Sequence, residues 1–330
     1  MKFAKRSMQD ANERLGDSLE SARAWLGGPL ISKLLGLVVL AYVLLCLLLG
    51  WYWSREPGLE PLVTAREARV EGELTVQTLQ AVMTTLLDKP GGFISNDIMP
   101  PGLMMDNMPN WEFGVLVQVR DMTRALRRDM ARSQSQSTED RDLARAEPRF
   151  HFDNKSWAMP ASESEYRDGL RALASYEQRL QQGDAAFYPR ADSLASWLGD
   201  VSTRLGSLSQ RLSASVGREP LSDSGRARER TPWTQIDDVF YEARGTSWAL
   251  VHLLRAVEQD YAEVLGKKNA QVSLQQIIRD LEATQAPLWS PMVLNGSGFG
   301  VLANHSLVMA NYLSRANAAL IDLRRLLEQG

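Results

Sequence analysis

The chain has 330 residues, with 37 Lys and Arg against 40 Asp and Glu, and this near-neutral balance argues against a general nucleic-acid-binding protein. Hydrophobic residues make up 44% and charged residues 23% of the chain, which excludes a mainly disordered protein. A single cysteine excludes an intrachain disulfide framework and a cysteine-rich metal site, and three histidines make a histidine-only metal site improbable.

The first 33 residues form a tail with a helical apolar stripe, which predicts a short amphipathic helix lying on a membrane surface. The sequence Gly27-Gly28-Pro29 then ends that helix. The stripe consists of Met8, Ala11, Leu15, Leu19, Ala22 and Leu26.

Residues 34–53 form an uncharged run of 20 residues. As a helix this run is ~30 Å long, which matches the hydrocarbon core of a bilayer. Trp51, Tyr52 and Trp53 lie at the C-terminal end of the run, where aromatic rings prefer the membrane interface. We therefore predict an uncleaved signal anchor that binds the lipid bilayer through residues 34–53. A buried core helix and a cleaved signal peptide are the alternatives, disfavoured by the length of the run and the bulky residues at its end.

Basic residues indicate the orientation of this anchor. Residues 1–33 contain six Lys and Arg, whereas residues 54–86 contain three. Positive charge favours the cytoplasmic side. We predict a single-pass inner-membrane protein with a cytoplasmic N-terminus and a periplasmic C-terminal domain, although the charges closest to the span are balanced.

From residue 54 to residue 330 the apolar period is helical, and no stretch shows sustained strand alternation. Three long seams of alternating three- and four-residue steps run through 189–216, 233–265 and 302–326, and shorter helices are predicted over 60–87, 113–132, 163–181 and 272–284. The first seam consists of Leu194, Leu198, Val201, Leu205, Leu208 and Leu212, and the last consists of Leu302, His305, Met309, Tyr312, Ala316, Ala319, Leu323 and Leu326. The fold class predicted is all-α, with one N-terminal transmembrane helix followed by a multi-helix bundle with coiled-coil-like seams. A homomeric coiled coil is the alternative, so association of copies into an oligomer is left open.

Two polar segments interrupt the helical pattern and are predicted to be linkers. Residues 133–147 are polar, and residues 217–231 are rich in Gly, Pro and Ser and contain four arginines. A solvated loop is the simpler interpretation of the second segment, and docking of an anionic partner is the alternative.

A methionine- and proline-rich segment, residues 91–111, is the strongest candidate for a functional surface. Its methionines could pack on the bundle, form an adaptable partner surface or bind Cu(I) through their thioethers. The candidate residues are Met99, Met104, Met105, Met108 and Trp111.

Elsewhere the sequence contains no motif that specifies chemistry, so we predict no catalytic, cofactor-binding or metal-binding residues. The Gly-rich stretch 295–300 has neither the strand nor the Lys that a phosphate-binding loop requires. His151, His252 and His305 lack the spacing of a metal or catalytic motif.

Three pieces of sequence carry a resemblance: Ser95 to Gly102, the run Trp111-Glu112-Phe113-Gly114, and Ser133 to Glu139. With the single anchor before them, they make the chain similar to a family of proteobacterial single-pass inner-membrane proteins catalogued only as a domain of unknown function. The resemblance implies a bacterial origin and an envelope location, and it implies no activity or site residue.

Three functions fit these features. The first is a non-enzymatic scaffold, interaction or regulatory bundle whose partner is another envelope protein. The second is a periplasmic sensor or carrier with a ligand pocket between helices. The third is an envelope enzyme that acts on lipid or cell wall. A filled core favours the first, an apolar cavity the second, and clustered buried carboxylates the third.

Overall fold

The computed structural model describes residues 29–63, 70–133, 138–214, 231–232, 235–288, 290, 292–296 and 303–329. Within these residues the chain forms ten α-helices and no β-strand, as the sequence predicts. It divides into two compact units, Met1–Tyr52 and Trp53–Gly330. The tail stripe, most of the 217–231 segment and residues 297–300 of the Gly-rich stretch lie outside the described residues.

The described part of the first unit, residues 29–52, lies in helix α1, Pro29–Trp53, and the last residue of this helix belongs to the second unit. Proline suits the first turn of a helix because the backbone N–H it lacks has no partner there. Residues Ile31–Trp53 are long and apolar enough to cross a membrane, and the most apolar stretch is not buried by any part of the described chain. This confirms the predicted candidate span.

The second unit contains the nine remaining helices. They are α2 Glu73–Asp88, α3 Asn107–Ala125, α4 Leu143–Phe150, α5 Ser162–Gln182, α6 Ala191–Ser213, α7 Ile236–Asp260, α8 Ala262–Lys267, α9 Gln271–Glu282 and α10 His305–Glu328. A short π-helical turn, Leu126–Met130, extends α3.

Helices α3 and α7 cross with their backbones in contact, because each places a glycine at the crossing. A Cβ on Gly114 would lie 2.2 Å from the Glu242 carbonyl oxygen, and one on Gly245 would lie 2.0 Å from the Trp111 carbonyl oxygen. The Trp111 and Trp248 rings pack beside the crossing at 5.2 Å between centroids. Most of α7 is buried, so the rest of the bundle is built around this helix pair.

Helices α6 and α10 pair antiparallel along a seven-residue repeat. Arg324 Nε donates to the Ala195 carbonyl (3.1 Å), Ser202 Oγ donates to Asn317 Oδ1 (2.7 Å), and Ser209 Oγ donates to the Ala310 carbonyl (3.1 Å). All six predicted seam residues of α6 are buried: Leu194, Leu198, Val201, Leu205, Leu208 and Leu212.

The predicted seam of α10 is only partly correct. Met309, Ala316 and Leu323 are buried as expected. The other described members of the predicted seam are only half-buried: His305, Tyr312, Ala319 and Leu326. The buried positions between them are Leu313, Leu320 and Leu327. The apolar surface of α10 is wide, and packing against both α6 and α9 selects the stripe that is buried.

Two other predicted boundaries are wrong. Helix α2 starts at Glu73, after Gly72 adopts a left-handed φ of 82°, whereas the apolar period extended it back to residue 60. The polar segment 133–147 ends inside helix α4, where Leu143 and Ala146 are buried. Leu143 and Ala146 are the apolar residues of this charged stretch, and they pack one face of the short helix α4 against the core.

The segment after α1 is bound to one face of α7. Arg244 makes an ion pair with Glu56 (Nη2 to Oε2, 2.6 Å), Trp248 Nε1 donates to the Gly58 carbonyl (2.8 Å), and Arg255 donates to the Leu59 carbonyl (2.9 Å). Arg244 also donates to the carbonyl oxygens of Thr284 and Ala286, both at 3.0 Å. The second unit therefore has its first residues fastened to its central helix.

His252 is buried beside this segment, with its ring against that of Trp248 at 4.7 Å between centroids. Burial is the main cause that lowers the pKa of His252 to about 4, and the Arg255 charge lowers it further. The imidazole is therefore neutral in the folded protein at neutral pH.

A first prediction concerns the α3–α7 crossing. Gly114→Ala should lower the free energy of unfolding by ~1–3 kcal/mol or more, because the new methyl group meets backbone atoms that cannot move independently. Gly266→Ala on α8 is the matched control, since a Cβ there meets nothing within 4 Å and should be neutral or slightly stabilising. Chemical denaturation of the full chain in detergent, followed by far-UV circular dichroism, measures both; equal effects would contradict the crossing.

A second prediction concerns His252 and pH. Because its pKa is lower in the folded than in the unfolded chain, the unfolded chain binds more protons between about pH 4 and pH 6.5, and stability falls as pH drops through that window. At pH 5 the loss from this residue should be about 2 kcal/mol relative to pH 7. His252→Gln should lose less stability than the wild-type chain over this range, and the same loss in both would refute the assignment.

Candidate functional site

The structure divides the five candidate residues of the 91–111 segment into exposed and buried groups. Met99 and Met104 are exposed, the latter with 78% of its surface in water, and Met105 is half-buried. Met108 and Trp111 belong to the core. Only the first group can meet another molecule, so the surface predicted from sequence is smaller than the list of five.

The reason for this division is the position of the α3 N-terminus. The sequence analysis placed this helix from residue 113 because prolines precede it, but α3 starts at Asn107. Asp106 caps the helix by accepting a hydrogen bond from the Asn107 backbone N–H (2.9 Å). Pro109 lies in the first turn, where proline is tolerated. Met108 and Trp111 are therefore helical core residues.

A buried ion pair holds the base of the loop between α2 and α3. Lys89 and Glu112 form a salt bridge with almost no side-chain exposure. Glu112 also accepts hydrogen bonds from the backbone N–H groups of Ile94 and Ser95, both at 2.8 Å. The Lys89 ammonium donates in addition to the Gly92 carbonyl. Each buried charge is thus satisfied by several partners, which is the condition for burying charges without a large penalty.

The loop ends in a tight turn, residues 98–104, that we call the first tip. Backbone hydrogen bonds from Met104 to Pro101 (2.9 Å) and from Met105 to Gly102 (3.0 Å) close the turn. The Asp97 side chain packs on Gly102, where a Cβ would lie 2.0 Å from its Oδ2. Burial raises the pKa of the Asp97 carboxyl, and the Glu112 and Glu163 carboxylates raise it further.

A second loop is joined to the base of the first tip. Asn96 Nδ2 donates to the Ser156 carbonyl (2.8 Å) and to Glu163 Oε2 (2.7 Å). Trp157 and Met159 follow at the end of this loop, which we call the second tip, and Met159 is 97% exposed. Sequence analysis missed these residues; the only signal was a Trp and a Met within a polar stretch before Pro160.

We group the two tips as one candidate site, which we call the tip surface, because Asn96 joins the loops that carry them. All six of its residues are large, apolar and mostly exposed, although the loops that carry them are fastened by buried polar contacts. They are Ile98, Met99, Leu103, Met104, Trp157 and Met159. A stable fold normally buries such side chains, and several together on neighbouring loops mark a contact surface.

The structure gives less support to copper binding and to enzyme activity. The four methionines proposed as copper ligands are divided between water and the core, which does not favour a common coordination shell. Among the described residues, no group of three or more His, Cys, Asp or Glu side chains is arranged to hold a metal ion. Several buried carboxylates are used in ion pairs: Glu112 with Lys89, Asp121 with Arg204, Asp142 with Arg179, Glu147 with Arg127 and Asp280 with Arg315.

The division of the methionines leads to a third prediction. Met108→Ala should lower the free energy of unfolding by roughly 2–5 kcal/mol, because Met108 is only 2% exposed and its removal leaves a cavity. Met104→Ala is the matched control within the same segment and should change stability by no more than ~0.5 kcal/mol. Denaturation midpoints of the two full-length variants decide the matter, and a larger loss for Met104 would contradict the structure.

Comparisons with known proteins identify one family. No curated protein and no solved structure matches the chain. Residues 27–330 match the model of a family described as uncharacterized protein conserved in bacteria (DUF2333). The match covers the candidate membrane helix and all of the second unit, including both tips. The chain therefore belongs to this bacterial family of unknown function, DUF2333.

Proposed function

We propose that this protein is a non-enzymatic scaffold or regulatory bundle of the bacterial envelope, anchored in the inner membrane by residues 34–53. In this proposal the tail of residues 1–33 is cytoplasmic and residues 54–330 form a periplasmic domain. The twofold excess of basic residues before the span supports that orientation. The expected partners are the bilayer and another envelope protein, and no nucleic acid.

The observation that carries the proposal is the tip surface. Burying a large apolar side chain is worth about 1.5–3 kcal/mol relative to leaving it exposed. Met99 and Met104 do not obtain this stabilisation in the unbound protein, because both side chains are exposed. The loop beneath them is held by the Lys89–Glu112 pair and by Asn96, so the tips do not fold back onto the core. A preorganised surface of this kind suits binding, because its loops lose little conformational entropy when they contact a partner.

A groove supports the second function, a ligand-binding sensor or carrier. It has a volume of about 400 Å³ and lies between α7, the residues after α9 and the start of α10. Phe240, Leu288, Met309 and Tyr312 give it an apolar lining, and Arg244 and His305 are its main polar groups. The Arg244 guanidinium is already engaged by Glu56 and two carbonyl groups, so this candidate has less free recognition chemistry than the tip surface.

In-cell photocrosslinking tests the proposed function. A photoreactive amino acid placed at Met104 should give adducts with an envelope component, detected by mass spectrometry of the purified chain. Val272 on α9 is the matched control, since it is an apolar residue with a similar exposed fraction, 72%. The double substitution Met99→Ser and Met104→Ser should weaken capture from a photoreactive group at Trp157 without reducing the helical far-UV signal.

The yields of adducts at positions 104 and 272 decide whether the proposal stands. Adducts from position 104 that exceed those from position 272 support a contact surface. Equal and sparse adducts from both positions would show that the tips contact nothing in the cell, and the scaffold proposal would then be wrong.

A further inference from the structure

We propose that the tip surface is a second membrane-binding site, which inserts its six apolar side chains into the interfacial region of the lipid bilayer. This inference rests on the proposed function, since it names the component that a contact surface of the anchored domain meets. It adds a peripheral attachment to the single transmembrane anchor.

The base of the first tip lies beside Trp53. Trp53, the last residue of α1 and the first of the second unit, packs on Gly91, where a Cβ would lie 2.7 Å from its ring. Gly91 adopts a left-handed φ of 90°, so glycine is favoured there by backbone and contact alike. Ile98 lies seven positions after Gly91 in the chain, a length that extends at most ~25 Å. If residues 34–53 span the membrane, the first tip is rooted beside the residue that ends the span.

The amino-acid composition of the two tips suits a membrane interface. The first tip, residues 98–104, carries no charge, and its exposed side chains are aliphatic or thioether groups. Trp157 on the second tip is the residue type that membrane interfaces favour most, because its ring is apolar and its N–H can meet water or headgroups. Two acids flank the first tip: Asp97 packs against Gly102, and Asp106, which is exposed, caps α3. Lys155 is exposed beside the second tip and can meet a lipid phosphate.

The way in which the tips expose their side chains favours lipid over a protein partner. The exposed side chains lie on two turns, and Met104 and Met159 have the largest exposed fractions among them, 78% and 97%. Protein hot spots depend on a close fit between a side chain and a shaped pocket. A bilayer is deformable and surrounds protruding side chains without a fitted pocket. The bilayer is also present at high effective concentration for any domain that is anchored to it. Weak insertion of each side chain is therefore sufficient to keep the tips bound to the membrane.

The test uses the full chain in nanodiscs of phosphatidylethanolamine and phosphatidylglycerol. Cys46→Ser removes the single cysteine, and Met104→Cys, Met159→Cys or the control Val272→Cys then carries a nitroxide spin label. Power-saturation measurements report collisions with oxygen, which concentrates in lipid, and with a water-soluble nickel complex. Nickel collisions at positions 104 and 159 should be several-fold rarer than at 272, and oxygen collisions several-fold more frequent.

Two results would overturn the inference. Labels at 104 and 159 that collide with nickel as often as the label at 272 would show that the tips lie in water. Lipid-like accessibility at 272 as well would show that contact with lipid is not specific to the tips, and the inference of a membrane-binding tip surface would then be wrong. Far-UV circular dichroism confirms folding of each labelled variant, and Leu103→Cys is a further position on the first tip.

The same experiment separates this inference from the proposed function. If the tips lie in water in nanodiscs but position 104 captures a protein in cells, the scaffold proposal stands and the lipid inference fails. If the tips lie in water and position 104 captures nothing above the control, both fail.

Discussion

The close approach of helices α3 and α7 is the contact on which the rest of the second unit depends. Gly114 and Gly245 remove the side chains that would separate the two backbones. The remaining helices pack around this pair through long-range contacts, with α2 and α9 both against α7. Two glycines on different helices thus determine the spacing in the middle of the bundle, where an added methyl group has no space.

The same helix that makes this crossing also supports the tip surface. In the run Trp111-Glu112-Phe113-Gly114, the tryptophan and the glycine face α7. Glu112 points to the other side and binds Lys89 and the backbone of the α2–α3 loop. One turn of helix therefore joins the core to the candidate site. This is a physical reason why a core substitution such as Gly114→Ala would also disturb the first tip.

The sequence predicts a helix correctly where the pattern depends only on residues that are close together in the chain. The uncharged run of α1 and the three- and four-residue steps of α6 depend on hydrophobicity and helix geometry alone. Prediction from the sequence failed where two local signals compete. Pro109 suggested a loop, but Asp106 caps a helix that includes the proline, so Met108 and Trp111 became core residues. In α10 the apolar surface is wider than one stripe, and only packing chose among its residues.

By itself, the sequence determined the fold class, the candidate membrane helix and the methionines of the first tip, because these depend on composition and on spacing within one helix or loop. Only the tertiary structure decided which methionines reach water, and it alone joined Trp157 and Met159 to them. The loops that carry the two tips are joined by the hydrogen bond from Asn96 to the Ser156 carbonyl, two residues that are far apart in the chain. Contacts across such a separation form only when the whole bundle folds, and no local pattern encodes them.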